Sequence, residues 1–130
     1  MRKLLLDSHT LIWSQDDVSQ LSPAASTALS DPSNELFLSL ATVWELAIKV
    51  GKKRLPLSKP FRQWIETAIV NLELTLLPIS LDHAEWQSQL PWHHKDPFDR
   101  MLIAQSLMEK YPVIGIDPLF DAYGVTRIWN

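Results

Sequence analysis

Four carboxylates, Asp7, Glu45, Asp99 and Asp117, stand out by the places that a coarse reading of the chain gives them. Asp7 ends the apolar run Leu4-Leu5-Leu6, and Asp117 directly follows Val113-Ile114-Gly115-Ile116. Glu45 falls in a helical segment after a second apolar run, and Asp99 in the first turn of a helix opened by Asp96-Pro97. In an open α/β sheet the ligand crevice lies outside the carboxyl ends of the strands, so acids at two strand ends share it. Close carboxylates repel and raise one another's pKa unless a cation neutralises them. An oxygen-rich donor set without cysteine suits Mg²⁺ or Mn²⁺. Such an ion takes a phosphodiester oxygen, lowers the pKa of an attacking water and offsets charge on the leaving oxygen; two ions about 4 Å apart divide these tasks. The spacing is compatible with one ion or two.

Each acid also has a simpler use. Asp7 and Asp117-Pro118 fit turns, Glu45 and Lys49 are spaced as a helical ion pair, and Asp99 favours a helix N-terminus. Only their joint placement points to a metal site.

The elements that must position them follow from periodicity. Lys3 to Asp7 reads as a buried strand, with Ser8 capping a helix through Trp13. Ser22-Pro23 starts a second helix that runs to Leu29, and Asp31 to Asn34 is a turn. Glu35 to Ser39 reads as a strand, Ala41 to Lys53 as a helix, Phe61 to Leu72 as another, and Leu74 to Ile79 as a third strand that Pro78 ends or confines to an edge. Leu81 to Gln89 reads as a short helix, Asp96 as the cap of the next, Val113 to Ile116 as a fourth strand and Thr126 to Trp129 as a fifth. Strands alternating with helices predict an α/β fold, one domain over residues 1–130, with a mainly parallel central sheet flanked by helices.

Bulk properties narrow the function. A chain of 130 residues, 46% hydrophobic and 21% charged, can build one core. The absence of cysteine excludes disulfides, thiolate metal sites and cysteine nucleophiles. No apolar run reaches the roughly 18 residues of a membrane span, and Asp7 interrupts the opening apolar run too early for a signal peptide, so a cytoplasmic protein is expected. A net charge of −3 is not that of a protein holding nucleic acid by bulk charge, so any nucleic acid is held locally or through a bridging cation. Six tryptophans supply core and possible interface alike, with Trp64 assigned to the core.

At these residues the chain resembles the PIN-domain family, and within it the VapC toxins of bacterial toxin–antitoxin pairs. Leu4-Leu5-Leu6-Asp7-Ser8-His9-Thr10 resembles the family's opening strand with its first acid, and Ser39 to Lys49 the segment with its second. The most specific match is Leu90-Pro91-Trp92-His93-His94-Lys95-Asp96-Pro97-Phe98-Asp99-Arg100, followed by Met101 to Gln105, where Asp99 is the third acid. Ile116-Asp117-Pro118-Leu119-Phe120 with Tyr123 resembles the closing segment. The family often has Ser or Thr before the fourth acid; Ile116 departs from this, which bears on specificity and leaves the carboxylates intact.

The resemblance implies a metal-dependent endoribonuclease, usually a homodimer, inhibited by a cognate antitoxin. Asp7, Glu45, Asp99 and Asp117 become the expected Mg²⁺ or Mn²⁺ ligands or water-activating groups, one or two ions being held. Ser8 assists at the metal or its water, and Asp96 caps its helix behind the ligands. Lys49, Lys52, Lys53, Arg54 and Arg100 are the expected phosphate contacts, the lysines fitting a solvated helix end equally well. His93 and His94 read as exposed loop residues within reach of phosphate or metal, and His9 as a residue at the pocket mouth. Two other functions are compatible with the sequence: a catalytically silent PIN-like module binding RNA or protein, and a metal-dependent nuclease acting on DNA. The groups that would read the 2′-OH are not identifiable from the chain alone.

Overall fold

A computed structural model describes residues 2–130. The elements are β1 (Lys3–Leu6), α1 (Ser8–Asp16), a 3₁₀ turn (Val18–Gln20), α2 (Pro23–Ser30), β2 (Glu35–Ser39), α3 (Leu40–Gly51), α4 (Phe61–Leu72), β3 (Thr75–Leu77), α5 (Leu81–Ser88), α6 (Pro97–Glu109), β4 (Val113–Ile114), a second 3₁₀ turn (Pro118–Tyr123) and β5 (Arg127–Ile128). The strands form one sheet in the order β3-β2-β1-β4-β5, and every pairing is parallel. The expected α/β architecture is therefore present, its sheet parallel throughout.

Strand β1 is the hinge of this topology. The chain steps outward on one side through β2 and β3, then returns to the other side of β1 for β4 and β5. The carboxyl ends of β1 and β4 therefore flank the point where strand order reverses, the place where open α/β sheets form a crevice. Leu5 pairs with Val113 and Leu6 with Ile114, which fixes the register of that edge.

Helices cover both faces. Leu4 and Leu6 point into one core with Leu11, Leu36, Leu38, Leu46 and Trp64. Leu5 points the opposite way, into a second core with Phe37, Leu102, Ile103, Val113 and Phe120. Alternation along a strand places its neighbours on opposite faces, and β1 after the exposed Lys3 is a continuous apolar run because both faces are buried there. Trp64 belongs to the first core as expected, its indole N–H donating to Asp16 Oδ1 at 3.0 Å.

Three local expectations are corrected. Asp7, not Ser8, caps α1, its Oδ1 accepting the Thr10 amide at 2.8 Å. Strand β3 is shorter than expected, Thr75–Leu77, ending before Pro78, which has no N–H to extend the ladder, and it lies at the sheet edge as expected. Strand β4 ends at Ile114, and Ile116 turns out to solvent before Asp117 caps the following 3₁₀ turn. Among the described residues, no helix is long and apolar enough to cross a membrane.

Candidate active site

Asp7 does two jobs at the end of β1. Its carboxylate caps α1 through the Thr10 amide, while the Thr10 hydroxyl donates to the Ile114 carbonyl at 2.8 Å. This ties the start of α1 to the end of β4. The Asp7 side chain leans over Gly115, where a Cβ would lie 2.6 Å from Asp7 Oδ2. Burial pushes the Asp7 carboxyl above its ordinary value, against the opposing pull of the Thr10 hydrogen bonds.

Glu45 is reached from Ser39, whose hydroxyl caps α3 by accepting the Ala41 amide at 3.0 Å. The Glu45 side chain is buried and its Oε2 accepts from Lys49 Nζ at 2.8 Å. The expected helical ion pair therefore exists, but it lies inside the crevice rather than on an outer face. Trp44 packs edge-on against Phe98, ring centres 5.3 Å apart, joining the helices that carry Glu45 and Asp99.

Asp96 caps α6, its Oδ1 accepting the amides of Phe98 at 2.8 Å and Asp99 at 3.0 Å. Asp99 thereby faces back into the crevice from the first helical turn. Burial first, and then the negative charges of Asp96 and Glu45, push its pKa up to about 7; His94 opposes the shift and Asp7 adds to it. Asp117 caps the closing 3₁₀ turn through the Leu119 amide at 2.9 Å.

His94 is the residue that joins these acids. Its Nε2 lies 3.0 Å from Asp99 Oδ2 and 3.0 Å from Asp117 Oδ2. Its Nδ1 accepts the Asp96 amide at 3.2 Å, which places the ring proton on Nε2, where it donates to Asp117 while Asp99 lies at the same distance. The loop is pinned by Tyr123, whose hydroxyl accepts the His94 amide at 2.8 Å and donates to the Pro91 carbonyl at 2.7 Å. His94 is thus half-buried rather than the exposed loop histidine expected, and it lies against two of the candidate metal ligands. Only His93 is exposed, its ring edge-on to Tyr123. The spacing of a histidine two residues before a helix cap was the available signal.

Arg100 is also corrected. It is 3% exposed, and its guanidinium donates to the carbonyls of Pro91 at 2.8 Å, Gln87 at 3.1 Å and Leu90 at 3.2 Å. Trp92 lies over its outer face at 3.7 Å. With its donors spent on the chain's own carbonyls, Arg100 builds the loop before α6 and is not a phosphate contact. Ser8 is buried at the head of α1 and, with Asp96 and Glu45, lines a cavity of about 480 Å³. Lys49, Lys52 and Arg54 line it too, whereas Lys53 does not.

Among the described residues, Asp99 and Asp117 bring their carboxylate oxygens together with the His94 imidazole, all within 4.8 Å of one another, and with the His94 proton on Nε2 the carboxylates are the donors open to a cation. Asp7 and Glu45 act electrostatically on Asp99. The donor chemistry fits a hard divalent cation: carboxylate oxygens dominate, and burial together with the neighbouring carboxylates raises the pKa of Asp99.

The chain belongs to the PIN-domain family, whose pattern matches residues 4–124. No curated protein sequence matches it. Among solved structures it is similar to VapBC2 from Rickettsia felis bound to a DNA fragment from their promoter. That likeness has a TM-score of 0.73 and 14% identity, over 98% of this chain and 99% of that one. It is also similar to FitAcB from Neisseria gonorrhoeae, with a TM-score of 0.64 and 21% identity over 98% and 96% of the two chains. A toxin-antitoxin complex from Klebsiella pneumoniae gives 0.56 and 23% over 88% and 86%. At such identities the likeness is one of fold.

Proposed function

We propose that this chain is a metal-dependent endoribonuclease and the toxin half of a toxin–antitoxin pair. The observation that carries the chemistry is the convergence of Asp99 and Asp117 on one His94 nitrogen, 3.0 Å from each, at the sheet's switch point. The role of toxin is supported by the likeness to structures named for such pairs. An antitoxin covering the crevice and a second copy of the chain are the partners this reading expects.

Asp7, Glu45, Asp99 and Asp117 would hold one or two divalent ions, Mg²⁺ or Mn²⁺. Bound there, the cation supplies Lewis acidity toward the phosphodiester and makes an attacking water more acidic. The chain's own residues prepare that ground. Gly115 leaves room for the Asp7 carboxylate, and Lys49 fixes the rotamer of Glu45. His94 donates to Asp117 and keeps Asp99 3.0 Å from the same nitrogen, and Asp96 sets the helix start that aims Asp99 inward. Ser8, beside Asp7 at the head of α1, is placed to hold a water or substrate oxygen.

The test is cleavage of a mixed pool of structured and single-stranded RNA, with DNA alongside, in Mg²⁺, in Mn²⁺ and in EDTA. Wild type should cut RNA only with metal, and Asp99→Asn should not cut. Cutting of DNA alone would reassign the substrate, and no cutting by folded protein free of any antitoxin would make the chain a silent binding module.

A further inference from the structure

We propose that the cavity beside Glu45 is a nucleotide subsite, which seats the residue of an RNA strand next to the bond being cut; the proposal rests on the ribonuclease reading above. At about 480 Å³ it falls within the range of about 300–1,000 Å³ that holds a small ligand. Its lining is divided by chemistry. Trp13, Ile48 and Leu55 supply apolar surface, Lys52 and Arg54 supply positive charge, and Glu45 connects it to the acids.

Two further observations select the occupant. The Trp13 ring packs at a tilt against His9, centroids 5.2 Å apart, and against Trp129 at 5.8 Å, so the apolar wall it contributes is fixed in position before anything binds. Lys52 and Arg54 are exposed and make no ion pair among the described residues, whereas Lys49 is committed to Glu45. In a chain of net charge −3 this is a local cationic spot beside an acidic site. A nucleotide joins a flat, apolar-faced base to an anion and matches both parts. An acidic peptide side chain offers the charge without the ring.

The experiment separates binding from cutting. Affinity for a labelled ten-nucleotide RNA of mixed sequence is measured in EDTA at several salt concentrations, for wild type and for the double variant Lys52→Ala, Arg54→Ala. The variant should bind about tenfold more weakly and lose about 1.4 from the slope of log affinity against log salt, the value for two contacts to a single strand. In wild type, an abasic nucleotide moved along the RNA should weaken binding roughly tenfold at one position, as loss of one stacked base does. If wild type cuts RNA in Mg²⁺ while the variant keeps the wild-type slope and affinity, the subsite is refuted and the ribonuclease survives. If wild type neither binds RNA in EDTA nor cuts it in Mg²⁺, both readings fall.

Discussion

Asp7 and Gly115 are fitted to each other: the carboxylate occupies the space that any side chain at 115 would need. A Cβ there would also sit 3.3 Å from Val113 Cγ1, so the backbone has little room to retreat. Gly115→Ala should displace the Asp7 carboxylate, cost about 1–3 kcal/mol of stability and remove most of the proposed nuclease activity. Thermal melting beside an RNA-cleavage assay checks this. An alanine variant with wild-type activity would show that Asp7 does not need its position.

The carboxyl of Asp99 is raised from 3.8 to about 7, and the sign of the resulting pH dependence follows. Between those values the unfolded chain has lost the proton that the folded chain still binds, so stability falls as pH rises, by at most roughly 1.4 kcal/mol per pH unit. Below the lower value both states are protonated and above the upper one neither is, so the slope vanishes. Asp7, raised by burial, acts in the same direction. Metal-free protein should therefore be more stable at pH 5 than at pH 8. Asp99→Asn should flatten that trend, leave the protein as stable or more so at pH 8, and abolish cutting. Urea titrations across pH, without metal, decide it.

His94→Ala should unfasten Asp99 from Asp117 and lower metal affinity or activity by about 10–100-fold, the usual effect of losing a group that orients ligands. Calorimetric titration with Mn²⁺ reads the affinity apart from catalysis. Unchanged affinity and unchanged cutting would reduce His94 to a loop residue.

Arg100→Met should be the most destabilising of these changes, by about 3 kcal/mol, because three carbonyls lose their donor at once. Activity per folded molecule should persist. A variant that folds normally yet no longer binds RNA would return Arg100 to the substrate.

The acids were legible in the sequence because three of them stand at punctuation points: a strand end, a helix start and a turn before proline. Glu45 carried a weaker signal, its place in the helix after the second strand, since Lys49 four residues on makes an ordinary surface pair equally apt. Charge type misled at Arg100, because a sequence does not display the carbonyls of residues 87–91 that fold around the guanidinium. His94 escaped for a related reason. Its place between two carboxylates depends on the Asp96 cap and the Tyr123 hydroxyl, one local and one distant. The cap of α1 passed from Ser8 to Asp7, a one-residue shift of the kind that helix-boundary reading often makes.

The parallel order β2-β1-β4 has a temporal consequence. Leu5 finds Val113 across more than a hundred residues of chain, and a parallel neighbour so remote in sequence is a slow contact to make. A polypeptide synthesised only as far as α5 holds Asp7 and Glu45 but neither Asp99 nor Asp117. On the proposed ribonuclease reading, such an incomplete chain on the ribosome would lack half of its acids, and competence would arrive as a step when the last strands dock. On the toxin reading, a cell would have that interval in which to supply the restraining partner.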